Sequence, residues 1–138
     1  MRWAGAALLL TAAASGPFDA GDFARGGAAV GDRPSDAIAL RQAPLASPSF
    51  RLGAAWRGWR NATAAVARDA ASPTGDGGDA EVLAEDCSDE RIAFIAVEAE
   101  RGALGLTPEQ VGAAATLAPD VVAAWRTRRS AAAPHCPR

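Results

Sequence analysis

Helix start and stop signals divide the C-terminal third of the chain, and no segment alternates between apolar and polar residues. Residues 107–110, TPEQ, hold a capping threonine, a proline for the first helical position and a glutamine that can reach back to the cap. Arg101 and Gly102 are typical of the end of a preceding helix, and Pro119 starts a third one. Because strands need a period of two, the sequence predicts an all-α fold with a three-helix unit over residues 86–138.

Each of these three helices has an apolar face, and the first is expected to begin after a Ser88 cap. The core of the unit is predicted to contain eleven bulky apolar residues: Ile92, Phe94, Ile95, Val97, Leu104, Leu106, Val111, Leu117, Val121, Val122 and Trp125. This set is small for a unit of that length, so additional support is needed. Cys87 and Cys136 are the only cysteines of the chain and flank the unit closely. We expect a disulfide bond between them; the alternative is two free thiols in a cytosolic protein.

Residues 1–14 have the features of a short export signal. Arg2 precedes an apolar run, and the small residues Ala12 and Ala14 permit cleavage after Ala14. The run is shorter than the ~20 apolar residues that a membrane span requires. We therefore expect export into the secretory pathway. Two alternatives are an Ala/Leu helix at the start of a soluble protein and a two-part organelle presequence that includes the Arg-rich residues 41–68.

Glycine and proline divide the middle of the chain. Residues 15–53 have no sustained apolar period, which predicts an irregular segment. Residues 54–70 predict a basic amphipathic helix, and residues 71–85 predict an acidic, glycine-rich linker. The helix could make peripheral contact with a membrane or another anionic surface, and a targeting or protein-docking role is equally open. The candidate docking residues are Trp56, Arg57, Trp59 and Arg60.

The formal net charge of -2 hides a segregation of charge along the chain. Residues 41–68 carry five arginines and no acid, and residues 69–100 carry ten acids and one arginine. Residues 101–138 carry five arginines and two acids. Blocks of opposite sign can pair within the chain, and the alternative is that they are solvated and partly disordered.

Residues 104–129 resemble the helix-turn-helix motif of repressors. Apolar or small residues stand where that motif keeps them: Val111, Gly112, Ala115, Leu117, Val122 and Trp125. The resemblance implies nucleic-acid binding. The sequence departs from the motif at Thr116, where a turn glycine is usual, and at the positions that would face the bases, which are Pro119, Asp120, Ala123 and Ala124. These side chains offer no bidentate contact to a base, so we expect no specific reading of DNA.

A binding mode without sequence preference remains open for the same segment. Arg126, Arg128 and Arg129 cluster at the end of the third predicted helix and are candidate phosphate contacts. Contacts of this kind predict weak binding to nucleic acid that falls steeply with salt.

The same residues also resemble one repeat of the mitochondrial transcription termination factor family. The matching residues are Leu104, Gly105, Leu106, Thr107, Pro108, Glu109, Val111, Pro119, Val121 and Val122. The resemblance implies an organelle-targeted helical repeat protein. Such proteins need about three or more stacked repeats, and this chain holds one, so the segment would be a fragment or a chance match.

Catalytic and metal-binding residues are sparse. The single histidine, His135, lies between Pro134 and Cys136 in the C-terminal tail, and the three ligands Cys87, His135 and Cys136 are too few for a structural zinc site. We expect no cofactor. The sequence favours a small exported, non-enzymatic helical protein that acts by binding an unknown protein partner. The alternative is a nucleic-acid-binding helical module that contacts phosphates through residues 119–130.

Overall fold

The computed structural model describes residues 18–31, 46–71 and 77–137. These residues form five α-helices and no strand: α1 (Ala20–Ala29), α2 (Pro48–Ala70), α3 (Gly77–Leu104), α4 (Pro108–Ala115) and α5 (Pro119–Arg128). The expected all-α fold and the C-terminal trio of helices are confirmed. The export signal predicted over residues 1–14 lies outside the described residues.

The irregular segment expected over residues 15–53 is wrong in two places, because Ala20–Ala29 is helical and α2 begins at Pro48. Both helices contain a type of residue that usually interrupts a helix, proline in α2 and glycine in α1. Ser47 caps α2 by accepting a hydrogen bond from the Phe50 N–H, so Pro48 occupies the first helical position, where proline is tolerated. In α1, Gly26 lies where the backbone of α2 approaches too closely for a side chain.

The linker expected over residues 71–85 is also shorter than the sequence suggests. Helix α3 begins at Gly77, so residues 77–85 are helical, and Ser88 is an exposed residue inside the helix and not its cap. The residues that follow the glycine pair at 77 and 78 are mostly good helix formers, which outweighs the glycine-rich start.

The predicted core residues of α3 are confirmed in part: Phe94 and Val97 are buried, but Ile92 and Ile95 are not. Ile92 and Ile95 are 55% and 60% exposed, whereas Glu90, Phe94 and Val97 are buried. The buried residues recur at the i, i+4 and i+7 spacing of one helix face. Hydrophobicity alone placed the isoleucines inside, but the helix is rotated so that a carboxylate, Glu90, enters the interior.

Helices α1 and α2 run in the same direction and are tied at their N-termini. The Asp19 N–H donates to the Ser49 hydroxyl at 2.8 Å, and the Ser47 hydroxyl donates to the Asp22 carboxylate at 3.0 Å. Ser49 is fully buried, so this bond satisfies a polar group that has left water. Helix α3 then returns antiparallel to α2.

One aromatic-rich core joins all of these helices. The Trp59 ring lies 5.4 Å from the Phe94 ring and 6.4 Å from the Trp125 ring. The buried core residues are Phe23, Leu52, Ala55, Trp59, Phe94, Val97, Val111 and Trp125. The C-terminal trio therefore shares its core with α1 and α2, which explains how a unit with few apolar residues is stabilised.

The two ends of α4 are the capping box that precedes it and the left-handed residue that follows it. The Gln110 N–H donates to the Thr107 hydroxyl at 3.1 Å, and the Thr107 N–H donates to the Gln110 side-chain oxygen at 2.8 Å, which confirms the predicted capping box. Helix α4 ends at Ala115 and is followed by Thr116, the C-cap residue, which adopts a left-handed conformation with φ of 57°. Helices commonly end with a glycine in this conformation, and here a threonine adopts it.

Cys87 and Cys136 form the expected disulfide bond, with their Cα atoms 5.6 Å apart. The bond connects α3 to the tail that follows α5. The tail is also held by Ala133, which is buried, and by an Arg128 Nη1 hydrogen bond to the Ala131 carbonyl at 3.0 Å.

Candidate functional site

Glu90 is a carboxylate buried at the junction of α2, α3 and α5. Its Oε2 atom accepts hydrogen bonds from Trp59 Nε1 and from Arg128 Nε, each at 2.8 Å, and its Oε1 atom accepts from Arg128 Nη2 at 3.0 Å. The guanidinium of Arg128 also lies over the Phe94 ring, 4.5 Å from its centre. This bidentate pair satisfies both oxygens of a charge that is only 1% exposed.

Glu98 forms a second, less buried network two turns further along α3. It accepts hydrogen bonds from Trp125 Nε1 at 2.9 Å, from Arg101 Nε and Nη2 at 3.2 and 2.9 Å, and from Arg129 Nε at 3.0 Å. Burial raises the pKa of Glu98, but the hydrogen bonds from Arg101 and Trp125 outweigh it and hold the pKa below its usual range. Both networks thus join a tryptophan, a glutamate and at least one arginine.

Each of the three arginines expected to contact phosphates forms an ion pair within the protein. Arg126 pairs with Glu109 at 2.6 Å, Arg128 pairs with Glu90, and Arg129 pairs with Glu98. The Arg128 side chain is only 15% exposed and is held by Glu90, so its assignment as a phosphate contact is corrected: it is a partly buried, ion-paired residue. Arg126 and Arg129 remain on the surface. Ion pairs such as those of Arg128 and Arg129 join the basic end of the chain to its acidic middle, so the blocks of opposite sign do pair.

The docking surface expected on α2 is corrected as well. Trp59 is 2% exposed, and its indole N–H is bonded to Glu90. Trp56 packs against the Phe23 ring at 5.7 Å, and its Nε1 atom is buried without a hydrogen-bond partner. Arg60 lies over the Trp59 ring, and Arg57 is exposed. The tryptophans face the core because α2 is enclosed by α1 and α3, so they are not available to a membrane.

A cleft of about 470 Å³ lies between α3 and the end of α5, and the C-terminal tail and the disulfide form part of its wall. Its polar lining consists of Ser88, Glu90, Arg91, Arg128, Arg129 and Ser130. Its apolar lining includes Ala84, Ala131, Ala132, Ala133 and Pro137. The volume lies within the range of about 300–1,000 Å³ that is usual for small-molecule sites. This cleft is the candidate functional site.

Arg91 was not singled out by the sequence and is the least constrained charge in the cleft. It is exposed on α3 and makes no ion pair with any described residue. Glu98 was also missed, although the Glu98–Arg101 spacing of three residues is one that forms ion pairs on a helix. The burial of Glu90 and its pairing with Arg128 were not predicted either. The sequence signal for the burial of Glu90 was its position on the same helix face as Phe94 and Val97.

A pair of carboxylates lies away from this cleft, between α2 and α3. Burial and the neighbouring Asp69 raise the pKa of Asp86 to about 6. One Asp86 carboxylate oxygen is buried and has no hydrogen-bond partner. Two acids placed together in this way favour the protonated form of one of them.

Other kinds of site receive no support from the described part of the chain. Within it, no group of three or more His, Cys, Asp or Glu side chains is arranged to hold a metal ion. None of the helices in residues 18–31, 46–71 and 77–137 is long and apolar enough to cross a membrane. His135 is exposed and has a positive φ of 71°.

Comparison with known proteins yields no match to a family model, to a curated protein or to a solved structure. The fold and the cleft define the class of the protein: it is an all-α, disulfide-bonded protein with a cleft that is lined in part by arginines. The disulfide is consistent with an oxidising compartment.

Proposed function

We propose that this protein is a small exported, non-enzymatic helical protein that acts by binding. The observation that carries the proposal is the Cys87–Cys136 disulfide, because such bonds form and persist mainly in oxidising compartments. The bond also forms part of the wall of the cleft. The evidence for an oxidising compartment and the shape of the candidate binding site therefore rest on the same two residues.

The hydrogen bonding of Glu90 and Glu98 supports binding over catalysis at the cleft. A general acid or base must be able to exchange a proton with a substrate. Both oxygens of Glu90 are occupied by Trp59 and Arg128, and those of Glu98 are occupied by Trp125 and arginines. These carboxylates act as structural anchors of the helices.

The organelle alternative is disfavoured by the packing of α2. A presequence that ended near residue 68 would be removed together with Leu52 and Trp59, which lie in the core against α3. The nucleic-acid alternative is disfavoured because Arg128 is held by Glu90, and because Glu109 and Glu98 offset the charges of Arg126 and Arg129 that would attract a phosphate.

Expression of the full chain in a host with an active secretory pathway tests the proposal. We expect mass spectrometry to find an N-terminus at Ser15 and a mass two hydrogens below that of the dithiol. Treatment with an alkylating agent under native, non-reducing conditions should leave both cysteines unmodified. An intact Met1 together with two alkylated cysteines would contradict the proposal, and a start near residue 69 would support the organelle alternative.

A further inference from the structure

We propose that the cleft beside the disulfide binds a small organic carboxylate with a compact apolar body, and that Arg91 and Arg129 hold the carboxylate. The inference deepens the proposed function, on which it rests, by naming the ligand class of that site. It follows from the hydrogen-bonding capacity left in the cleft, from its charge and from its apolar wall.

The first step is the number of N–H donors that the arginines leave unused. Arg128 is held by Glu90 through Nε and Nη2 and by the Ala131 carbonyl through Nη1, so it is a fixed part of the wall. Arg129 donates to Glu98 through Nε, which leaves its two Nη atoms. Arg91 has all five donors of its guanidinium available, since no described residue bonds to it.

The second step is the charge that these residues present. Among the described residues that line the cleft, Glu90 is the only acid, and its charge is compensated by the bidentate bonds from Arg128. Arg129 is partly compensated by Glu98, which it shares with Arg101. Arg91 is therefore the main uncompensated charge, and a single negative charge balances it. A monoanionic carboxylate fits this condition better than a phosphate dianion, and guanidinium groups bind carboxylates through paired N–H bonds.

The third step is the apolar part of the lining, most of which the tail provides. Ala131, Ala132 and Pro137 present small apolar surfaces, and Ala84 adds one from α3. Such a wall favours an apolar group beside the carboxylate. The disulfide fixes this wall against α3, so the apolar part of the site depends on the Cys87–Cys136 bond.

Benzoate is a suitable probe, and benzamide is its neutral counterpart with nearly the same shape. We expect calorimetric titration of the oxidised full-length protein to show benzoate binding, with benzamide and inorganic phosphate each at least about tenfold weaker. Arg91→Gln should weaken benzoate binding by about tenfold or more, because it removes charge-assisted hydrogen bonds. Arg91 bonds to no other described residue, so this variant retains the fold.

Arg57→Gln is the matched control, since it removes the same charge from an exposed arginine that does not line the cleft. We expect its benzoate affinity to stay within about twofold of the original. The inference is overturned if benzoate does not bind, if benzamide or phosphate binds as tightly, or if Arg57→Gln weakens binding as much as Arg91→Gln. Export is measured separately by the N-terminus and the disulfide, so failure of one proposal is distinguishable from failure of the other.

Discussion

Gly26 of α1 and Gly53 of α2 lie where the two helices touch through their backbones. A Cβ atom on Gly26 would overlap the main-chain carbonyl of Phe50, and one on Gly53 would overlap the main-chain carbonyl of Phe23. Both glycines are buried. Glycine is unfavourable inside a helix, so its presence here reflects the close approach that it permits.

Gly53→Ala should therefore destabilise the protein by at least about 2 kcal/mol, because backbone atoms cannot move aside as a side chain can. Gly102→Ala is the control: Gly102 lies in α3 with no atom within 4 Å of the added Cβ, so alanine should stabilise by about 0.5–1 kcal/mol. Urea unfolding monitored by circular dichroism measures both. Equal effects of the two substitutions would contradict the helix contact.

Glu90→Gln should cost about 3–5 kcal/mol of unfolding free energy, because it leaves the buried Arg128 guanidinium without its counter-charge. Glu85→Gln, an exposed position on the same helix, should change stability by less than about 0.5 kcal/mol. The comparison uses denaturant titrations at neutral pH. A Glu90→Gln variant as stable as Glu85→Gln would show that the pair contributes nothing.

The raised pKa of Asp86 predicts a specific dependence of stability on pH. Because the folded-state value of about 6 lies above the unfolded value, the folded state binds the proton more tightly. The stabilisation that comes from protonated Asp86 is fully present below about pH 4 and is lost as the pH rises to about 6. Asp86→Asn does not titrate at this position, so its unfolding free energy should not fall over this pH range, and at pH 7 it should exceed that of the original protein. Unfolding free energies at pH 5 and pH 7 test this, with Glu81→Gln as the control; parallel profiles for the original protein and Asp86→Asn would refute it.

Thr116→Gly should stabilise the protein by about 1 kcal/mol, because a β-branched residue is strained in the left-handed conformation that closes α4. The same change at Thr127, which lies in regular helix α5, should be destabilising. Thermal unfolding of the two variants measures the difference. If both substitutions destabilise, the turn does not have the left-handed conformation.

Duplex DNA should bind more weakly than about 10⁻⁴ M at physiological salt, outside the usual range of non-specific binding. The reason is that the arginines of α5 are engaged by Glu90, Glu98 and Glu109. Fluorescence anisotropy with two unrelated labelled duplexes, repeated over a range of salt, provides the measurement. Micromolar affinity with a log-log salt slope of about -3 would instead support phosphate contacts by Arg126, Arg128 and Arg129.

Local sequence signals determined the helical class and several of its details. The Thr107–Gln110 capping box, the restart at Pro119 and the disulfide partners could be predicted, because capping bonds span only three residues and the chain has a single possible cysteine pair. Glycine and proline were less informative. Pro48 starts a helix and Gly26 lies inside one, so the same residues that suggest irregular chain are compatible with a helix when capping or close packing requires them.

Tertiary structure decided which faces are buried and which charges are free. The Trp59–Glu90 bond joins residues 31 apart, and the Glu90–Arg128 pair joins residues 38 apart. No local pattern specifies these partners, because a charged residue can enter the core only where the fold supplies its counter-charge and hydrogen bonds. The same long-range packing turned Trp59 inward, left Ile92 and Ile95 exposed, and placed Arg91 beside the cleft.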